Sequence, residues 1–282
     1  MTDFHSFARA HGLMIRDLMA DGRVHRVPTA DHPKKRNGAY SWDGEGFGWV
    51  QNWAEHESAI IYRPERLPTA DPVQERLRRA RAEAAEAMRR AERKAVAGEA
   101  RAIVRECEYK THPYLERKGF PKYFALVDKA GWLVVPMRPA LTYTGMVSSV
   151  QRIAPDGTKR FLKDGATKGC VYALGPTGAR QAWLCEGYAT GLSIDAALRA
   201  MYRQDRVIVC FSAGNLTHCA QLFHGAIVVA DNDESGAGEA AARATGLRWV
   251  MPDMVDKDAN DVHQELGLGA LMQMLQQGLD MT

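Results

Sequence analysis

Cysteine is absent from the first 106 residues of this chain, and the five cysteines that follow form no C-x-x-C pair. Structural zinc sites take four closely spaced Cys or His ligands, and His25, His32 and His56 lack that spacing, so the sequence predicts no zinc there. No apolar run of about 18 residues and no signal peptide occurs, which predicts a cytoplasmic protein with no membrane partner. The absence of a G-x-x-x-x-G-K-[ST] loop excludes a fused ATP-driven helicase.

The chain has enough apolar residues for a buried core, since 46% of its 282 residues are hydrophobic. This length accommodates one or two domains and a small extra module. The formal net charge of +3 is only mildly basic, so charge alone does not predict a nucleic-acid partner. Local residue patterns are therefore the better guide to function.

Two aspartates follow an apolar run that predicts a buried strand. The run covers residues 226–230, and Asp231 and Asp233 come directly after it. Alternate side chains of extended backbone share a face, so both carboxylates should point the same way at the carboxyl end of the strand, where α/β folds place ligands. Paired carboxylates there suit Mg²⁺ or Mn²⁺. The alternative is a polar loop in which an aspartate caps the helix predicted at 237–244.

More acidic residues follow predicted strands in the same half of the chain. Glu186 ends the predicted strand 181–185 and precedes a helix, while Asp258 and Asp261 follow the apolar stretch 249–251. Apolar strands that alternate with helices are typical of a parallel sheet with crossover helices.

The order of these acidic motifs resembles the toprim domain of primases, topoisomerases and related nucleases. The matching motifs are Glu186-Gly187, Asp231-x-Asp233 and Lys257-Asp258. The resemblance implies that Asp231, Asp233 and Asp258 hold one or two divalent ions. It also implies that Glu186 is either a metal ligand or a general base. The family's third motif usually reads Asp-x-Asp, so whether Asn260 or Asp261 completes it here stays open.

The stretch before these motifs resembles the core of the bacterial replicative (DnaG-type) primases, in the style of phage and plasmid primases. The likeness is carried, in the family's order, by His112-Pro113-Tyr114-Leu115-Glu116-Arg117-Lys118-Gly119, by Trp132-Leu133-Val134-Val135-Pro136, by Ser149-Val150-Gln151-Arg152, by Arg160-Phe161-Leu162, by Lys168-Gly169 and by Val171-Tyr172-Ala173-Leu174. Together the motifs cover about residues 110–265. The resemblance implies that Arg152, Arg160 and Lys168 surround the triphosphate and the template–primer; the alternative for each is an ordinary surface charge.

The first 65 residues predict a small separate module. A helix is expected over residues 3–20, followed by short strands within the next 35 residues. We interpret the module as a zinc-less β-ribbon similar to the N-terminal modules of phage and plasmid primases. Its basic residues Lys34, Lys35 and Arg36, with Tyr40, Trp42, Trp49 and Trp53 nearby, are expected to bind single-stranded DNA by charge and stacking. The alternative is an aromatic core with a solvated basic loop.

The predicted fold class is α/β. It combines a toprim parallel sheet with flanking helices, a mixed α+β N-terminal primase subdomain and the small zinc-less β-ribbon module. The expected boundaries are 1–68 for the ribbon, 69–108 for a linker helix, 109–178 for the primase subdomain and 179–282 for the toprim domain.

These features predict a DNA primase, a nucleotidyltransferase that makes short primers on a single-stranded DNA template from nucleoside triphosphates. The expected cofactor is Mg²⁺ or Mn²⁺, without zinc, and the expected setting is phage or plasmid replication with a separate replicative helicase as partner. Two alternatives stay open. One is a toprim nuclease, which would use the same carboxylates to activate water. The other is a non-catalytic nucleic-acid-binding or decoy protein of a mobile element, which would neither make primers nor cleave DNA.

Overall fold

The structure is a computed structural model that describes residues 3–44, 46–63, 72–143 and 145–281, without the side chains of 72–75 and 78. The chain divides into two compact units, residues 1–86 and 87–282. The predicted boundary between the ribbon module and the linker helix, at 68–69, lies outside the described residues. Within the described ranges, no helix is long and apolar enough to cross a membrane.

The described part of the first unit begins with a short helix that packs on an antiparallel sheet. Its elements before residue 64 are α1 (Phe4–Ala10), β1 (His25–Val27), β2 (Gly38–Trp42), β3 (Gly48–Asn52) and β4 (Ile60–Tyr62). The strands pair in the order β1-β2-β3-β4, each antiparallel to its neighbour. Phe4, Tyr40 and Val50 are buried between helix and sheet, so apolar burial holds this small unit together.

The helix expected over residues 3–20 is much shorter, and that prediction was wrong beyond Ala10. Gly12 adopts a φ of 75°, which turns the chain out of the helix, and Leu13 then forms an isolated bridge with Thr29. The N–H of Met14 donates to the carbonyl oxygen of Pro28 at 2.9 Å. The apolar residues after Gly12 therefore bury themselves beside strand backbone, a contact that helical spacing does not reveal.

A long helix leads into the second unit, in which a mainly β group of elements precedes a group that alternates between strands and helices. The first group is α2 (Pro72–Glu106), β5 (Glu108–Lys110), α3 (Pro113–Arg117), β6 (Ala125–Val127), β7 (Leu133–Pro139), β8 (Ser149–Ile153), β9 (Lys159–Phe161) and β10 (Cys170–Leu174). The second group is β11 (Ala182–Cys185), α4 (Tyr188–Ala200), β12 (Arg206–Val209), α5 (Ala213–Ala220), β13 (Ile227–Val229), α6 (Ala237–Ala244), β14 (Arg248–Val250), α7 (Ala259–Leu266) and α8 (Leu268–Asp280).

The second group forms the parallel sheet that the sequence predicts. Its strands lie in the order β14-β13-β11-β12, and every neighbouring pair is parallel. Trp183, Val207 and Ile227 enter the core on one face of the sheet, and Leu184 and Ile208 enter the core on the other face. Burial on both faces explains why these strands are uninterrupted apolar runs in the sequence.

Strand β10 connects this parallel sheet to the strands that precede it. It runs antiparallel to β12 along residues 172–174, and its first two residues pair with the end of β7. Strand β7 also pairs with β6 and β8, β6 pairs with β5, and β8 pairs with β9, all antiparallel. The mixed α/β fold therefore has a parallel sheet at one side and antiparallel strands at the other.

Candidate active site

The predicted acidic residues after β11 and β13 meet at one edge of the parallel sheet. Strands β11 and β13 are direct neighbours in the register Trp183↔Ile227, so their carboxyl ends lie side by side. Glu186 follows the first strand and Asp231 follows the second. Both side chains line a pocket of about 130 Å³, which we call the carboxylate pocket. Its polar lining includes Lys118, Lys159, Glu186, Thr190, Asp231 and Asp258.

Asp231 is a pocket carboxylate that lacks a hydrogen-bond donor for one of its oxygens. Its Oδ1 atom is buried and has no hydrogen-bond partner among the described residues. Burial, together with the charges of Asp258 and Glu186, raises the pKa of Asp231 to about 7, although the charge of Lys159 opposes the increase. A buried acceptor without a donor costs free energy, and a bound cation would remove that cost. The donor set therefore fits a divalent metal ion.

Glu186 shares this electrostatic environment. Burial raises the pKa of Glu186, and the charge of Asp233 adds to the shift. A hydrogen bond from the backbone N–H of Ala213, at the start of α5, and the charge of Lys159 act in the opposite direction. The carboxylate is thus held at the strand end by the first turn of a helix, where partial positive charge favours an anion.

Asp258 is fixed in place because it caps helix α7. Its Oδ1 atom accepts hydrogen bonds from the backbone N–H groups of Asn260 and Asp261 at 2.7 and 2.9 Å. Its Oδ2 atom accepts a hydrogen bond from the Thr190 hydroxyl at 3.2 Å. The N-cap contact orients the carboxylate toward the pocket without a cation.

Asp233 does not line the carboxylate pocket, although it is two residues from Asp231. Its carboxylate accepts hydrogen bonds from the Ser235 hydroxyl and from the backbone N–H groups of Ala237 and Gly238, the latter two at 3.1 and 2.8 Å. These contacts, with the Ser235 bond as the largest, lower the pKa of Asp233 to about 2. The helix-cap alternative therefore describes the contacts of Asp233, while Asp231 has those expected of a metal ligand.

The third acidic motif contributes Asp258 alone to the pocket lining. Asp261 accepts a hydrogen bond from the backbone N–H of Asp258 at 3.0 Å and lies 3.8 Å from the Lys118 ammonium. Asn260 is fully buried and donates to Ser193 Oγ and the Lys118 carbonyl oxygen, both at 2.9 Å. Within the described ranges, no group of three or more His, Cys, Asp or Glu side chains lies close enough together to hold a metal ion.

The basic residues predicted around the triphosphate do not line the carboxylate pocket. Arg152 and Arg160 are cross-strand partners on β8 and β9, and their guanidinium groups lie 5.2 and 5.6 Å from the Trp132 ring centroid. Arg152 also forms an ion pair with Asp128. Lys168 lines a different pocket of about 290 Å³ beside Phe211. Their roles in binding stay predictions.

Lys159 is the site residue that sequence reasoning missed. It faces the carboxylate pocket because it alternates with Arg160 along β9, and Gln151, on the neighbouring strand, shares its face. Lys118 also lines the pocket from the end of α3. The signal for Lys159 was the period of two in a strand, but the relevant face is known only once the β8–β9 register is known.

The basic residues of the first unit belong to an exposed loop. Lys34, Lys35 and Arg36 are exposed between β1 and β2. The nearby aromatic residues differ in exposure. Tyr40 is buried, and Trp42 stacks on Phe4 with ring centroids 5.2 Å apart. Trp53, in contrast, is 41% exposed and lies beneath the Arg26 guanidinium. Only part of the predicted aromatic surface is therefore available for stacking.

Comparison with known proteins agrees with this geometry. Residues 181–268 match the family model described as Toprim domain. That range contains β11 to β14, Glu186, Asp231 and Asp258. This part of the chain is therefore a toprim domain.

Two curated relatives, each described as DNA primase TraC of Escherichia coli, are similar to this chain. One is 28% identical over 265 residues, which cover 82% of this chain and 24% of the relative. The other is 29% identical over 162 residues, which cover 50% of this chain and 11% of the relative. The chain thus spans about a quarter of the first relative's length and about a tenth of the second's. It is related to these primases, which confirms the resemblance seen in the sequence.

Two solved structures are also similar. The primase fragment of the bacteriophage T7 primase-helicase protein is 17% identical and superposes with a TM-score of 0.44. The superposition covers 60% of this chain and 75% of that chain. A T7 lagging-strand DNA polymerase complex with primase domains of two gp4 subunits is 16% identical, with a TM-score of 0.44 over 60% of this chain and 92% of that chain.

Proposed function

We propose that this protein is a DNA primase that joins nucleoside triphosphates into short primers on single-stranded DNA. The observation that carries the proposal is the carboxylate pocket at the edge of the toprim sheet, with its buried and unpartnered Asp231 oxygen. The relationship to DNA primases named TraC supports the same activity. A plasmid or phage setting, action in the cytoplasm and a separate replicative helicase as partner belong to this proposal.

Asp231, Asp258 and Glu186 would hold the divalent cation, Mg²⁺ or Mn²⁺. Their side chains face one small pocket, and the charges of Asp258 and Glu186 help to raise the pKa of Asp231. A cation bound there would neutralise phosphate charge and lower the pKa of the attacking hydroxyl group. Asp233 would act from outside the pocket, through its charge and by fixing the loop between β13 and α6.

Lys159 and Lys118 would contact the phosphates of the incoming nucleotide. Both ammonium-bearing residues line the carboxylate pocket, so they place positive charge beside the carboxylates without filling the site. Fixed cationic groups around a transferring phosphoryl group stabilise the charge that develops in the transition state. Base pairing with the template, rather than a protein side chain, would select the nucleotide.

The first unit and the basic residues outside the pocket would bind the template. Lys34, Lys35 and Arg36 are exposed, and Arg152 and Arg160 present guanidinium groups on one face of β8 and β9. We propose the predicted division into a zinc-less ribbon, a linker helix, a primase subdomain and a toprim domain as the organisation of the chain. Elemental analysis that finds one zinc per chain would contradict the zinc-less ribbon.

Incubation of the protein with labelled nucleoside triphosphates, Mg²⁺ and single-stranded DNA tests the activity. We expect labelled dinucleotides and longer primers, with the template left intact. Degradation of the template would instead identify a nuclease. A protein that neither degrades the template nor makes primers would be a binding or decoy protein.

A further inference from the structure

A second pocket lies where strand β10 separates from strand β7. The two strands pair only at Cys170↔Pro139 and Val171↔Arg138; β10 then follows β12, while β7 follows β8 along residues 133–137. A pocket of about 620 Å³ occupies the opening between them. We call it the fork pocket, and its lining includes Tyr109, Phe124, Arg138, Tyr143, Tyr172 and Arg206. This volume is within the range of pockets that hold small molecules.

The fork pocket is separate from the carboxylate pocket. Arg206 begins β12, whereas Glu186 and Asp231 follow the carboxyl ends of β11 and β13, which run in the same direction as β12. Arg206 is therefore at the opposite edge of the parallel strands. The two pockets share no lining residue among those described.

Arg206 is a buried cation without an anionic partner. Its side chain belongs to a residue that is only 3% exposed, and its Nε and Nη1 atoms have no hydrogen-bond partner in the described part of the chain. Its Nη2 atom donates to the carbonyl oxygen of Gly175 at 3.5 Å, and its guanidinium lies 4.7 Å from the Tyr143 ring centroid. Arginine is almost never fully buried unless it is paired, so a buried guanidinium with two unpartnered nitrogen atoms indicates that an anion is missing from its surroundings. Phosphate is an anion that guanidinium groups bind well.

The remaining lining supplies flat aromatic surface and no negative charge. Tyr109 and Phe124 are 70% and 62% exposed at the pocket, so their rings are open to solvent. Burial raises the pKa of Tyr172 to about 12, so this phenol stays neutral near pH 7. No Asp or Glu lines the pocket among the described residues, and Arg138 adds a second positive charge.

We propose that the fork pocket binds a nucleoside phosphate, with its phosphate on Arg206 and its base against the aromatic side chains. A guanidinium with free donors selects a phosphate, and tyrosine and phenylalanine rings stack on a planar base. The site would bind nucleotide without a divalent metal ion, because arginine supplies the positive charge. This property distinguishes it from the carboxylate pocket, whose acidic side chains repel a metal-free triphosphate.

Calorimetric titration of the full-length protein with ATP in EDTA tests the proposal. We expect saturable binding to the wild type and at least tenfold weaker binding to Arg206→Met, which keeps an unbranched apolar stem but removes the guanidinium. Arg180→Met, the same replacement at an exposed position, is the matched control and should bind ATP as the wild type does. Pyrophosphate should bind at least severalfold more weakly than ATP because it lacks the base.

A second variant keeps the proposal falsifiable if Arg206→Met fails to fold. Tyr109→Ala changes an exposed ring and should weaken ATP binding severalfold while pyrophosphate binding stays the same. The proposal is overturned if the wild type does not bind ATP in EDTA, or if both folded variants bind it normally. It is also overturned if pyrophosphate binds as tightly as ATP. The same holds if Arg206→Met weakens the binding of single-stranded DNA but not the binding of any mononucleotide. Primer synthesis is not the readout, so this result is independent of the proposed primase activity.

Discussion

The carboxylate pocket and the fork pocket occupy one sheet but have opposite electrostatic character. The first is small and acidic, and its Asp231 oxygen is buried without a donor. The second is larger and aromatic, and the Nε and Nη1 atoms of its Arg206 guanidinium are buried without an acceptor among the described residues. A buried polar group that lacks a partner is costly in a folded protein. Each pocket therefore indicates the charge of its ligand, a cation in the first and an anion in the second.

A sharper contrast exists between two residues of the same loop. Asp231 has a raised pKa because it is buried near other carboxylates, whereas Asp233 has a lowered pKa because it accepts hydrogen bonds at the start of α6. Sequence spacing alone treats these aspartates as equivalent. Their environments differ, because Asp231 lines the carboxylate pocket, whereas Asp233 accepts hydrogen bonds from the backbone at the start of α6.

The largest expected effect is on catalysis. Asp231→Asn should lower the rate of primer synthesis by at least about a hundredfold, because loss of one charged ligand misplaces the cation and costs about 2.7 kcal/mol or more of transition-state stabilisation. The measurement is the initial rate of dinucleotide formation at saturating Mg²⁺. Asp253→Asn, an exposed aspartate outside the pocket, is the matched control and should retain full activity. Wild-type activity in Asp231→Asn would refute the role of Asp231.

The second expected effect is on stability and depends on pH. The pKa of Asp231 is about 7 in the fold against an ordinary value of 3.8, so the folded state binds an extra proton between those values. Without metal, the free energy of unfolding should therefore fall as pH rises from about 4 to about 7. In EDTA at pH 8, Asp231→Asn should be more stable than the wild type, by on the order of 2–4 kcal/mol. Urea denaturation at several pH values measures this difference.

The stability contribution of Asp233 should depend on pH in the opposite way. The lowered pKa of Asp233 stabilises the fold above its unfolded pKa, and this contribution is lost as pH falls toward about 2. Asp233→Ala should therefore lower the melting temperature at pH 8 in EDTA, whereas Asp231→Asn raises it. Equal melting temperatures for the two variants would show that their environments do not differ as described.

A moderate effect is expected at Lys159. Lys159→Met should raise the KM for nucleoside triphosphate about tenfold, which corresponds to about 1.4 kcal/mol of lost phosphate binding. Lys163→Met removes an exposed charge shortly after β9 and should leave KM unchanged. Arg160→Met, on the other face of β9, should instead weaken binding of template DNA. A changed KM for Lys163→Met as well would indicate a general charge effect.

The smallest expected effect is in the first unit. Combined replacement of Lys34, Lys35 and Arg36 by alanine should weaken binding to single-stranded DNA and reduce its salt dependence by about one unit per lost phosphate contact. A control variant that removes the exposed charges of Lys122, Lys163 and Arg180 has the same net charge. Fluorescence anisotropy of labelled single-stranded DNA at several salt concentrations compares the affinities of the two variants. Equal losses in both variants would remove the basis for a DNA site on this loop.

The sequence by itself determined the parallel sheet and the position of its acidic edge. Strands buried on both faces must be continuous apolar runs, and the residues that follow them must lie at the carboxyl ends. Glu186, Asp231 and Asp258 were therefore predictable as neighbours. The sequence also carried the family resemblance, since its short motifs stand in the family's order.

Tertiary structure decided which charged residues face which pocket. The β8–β9 register turns Lys159 toward the carboxylates and Arg160 toward Trp132. Contacts at the start of α6 remove Asp233 from the pocket lining, and the separation of β10 from β7 leaves Arg206 buried with free donors. Each of these outcomes depends on residues far apart in the chain, because burial and strand register are properties of paired segments that no single segment of sequence specifies.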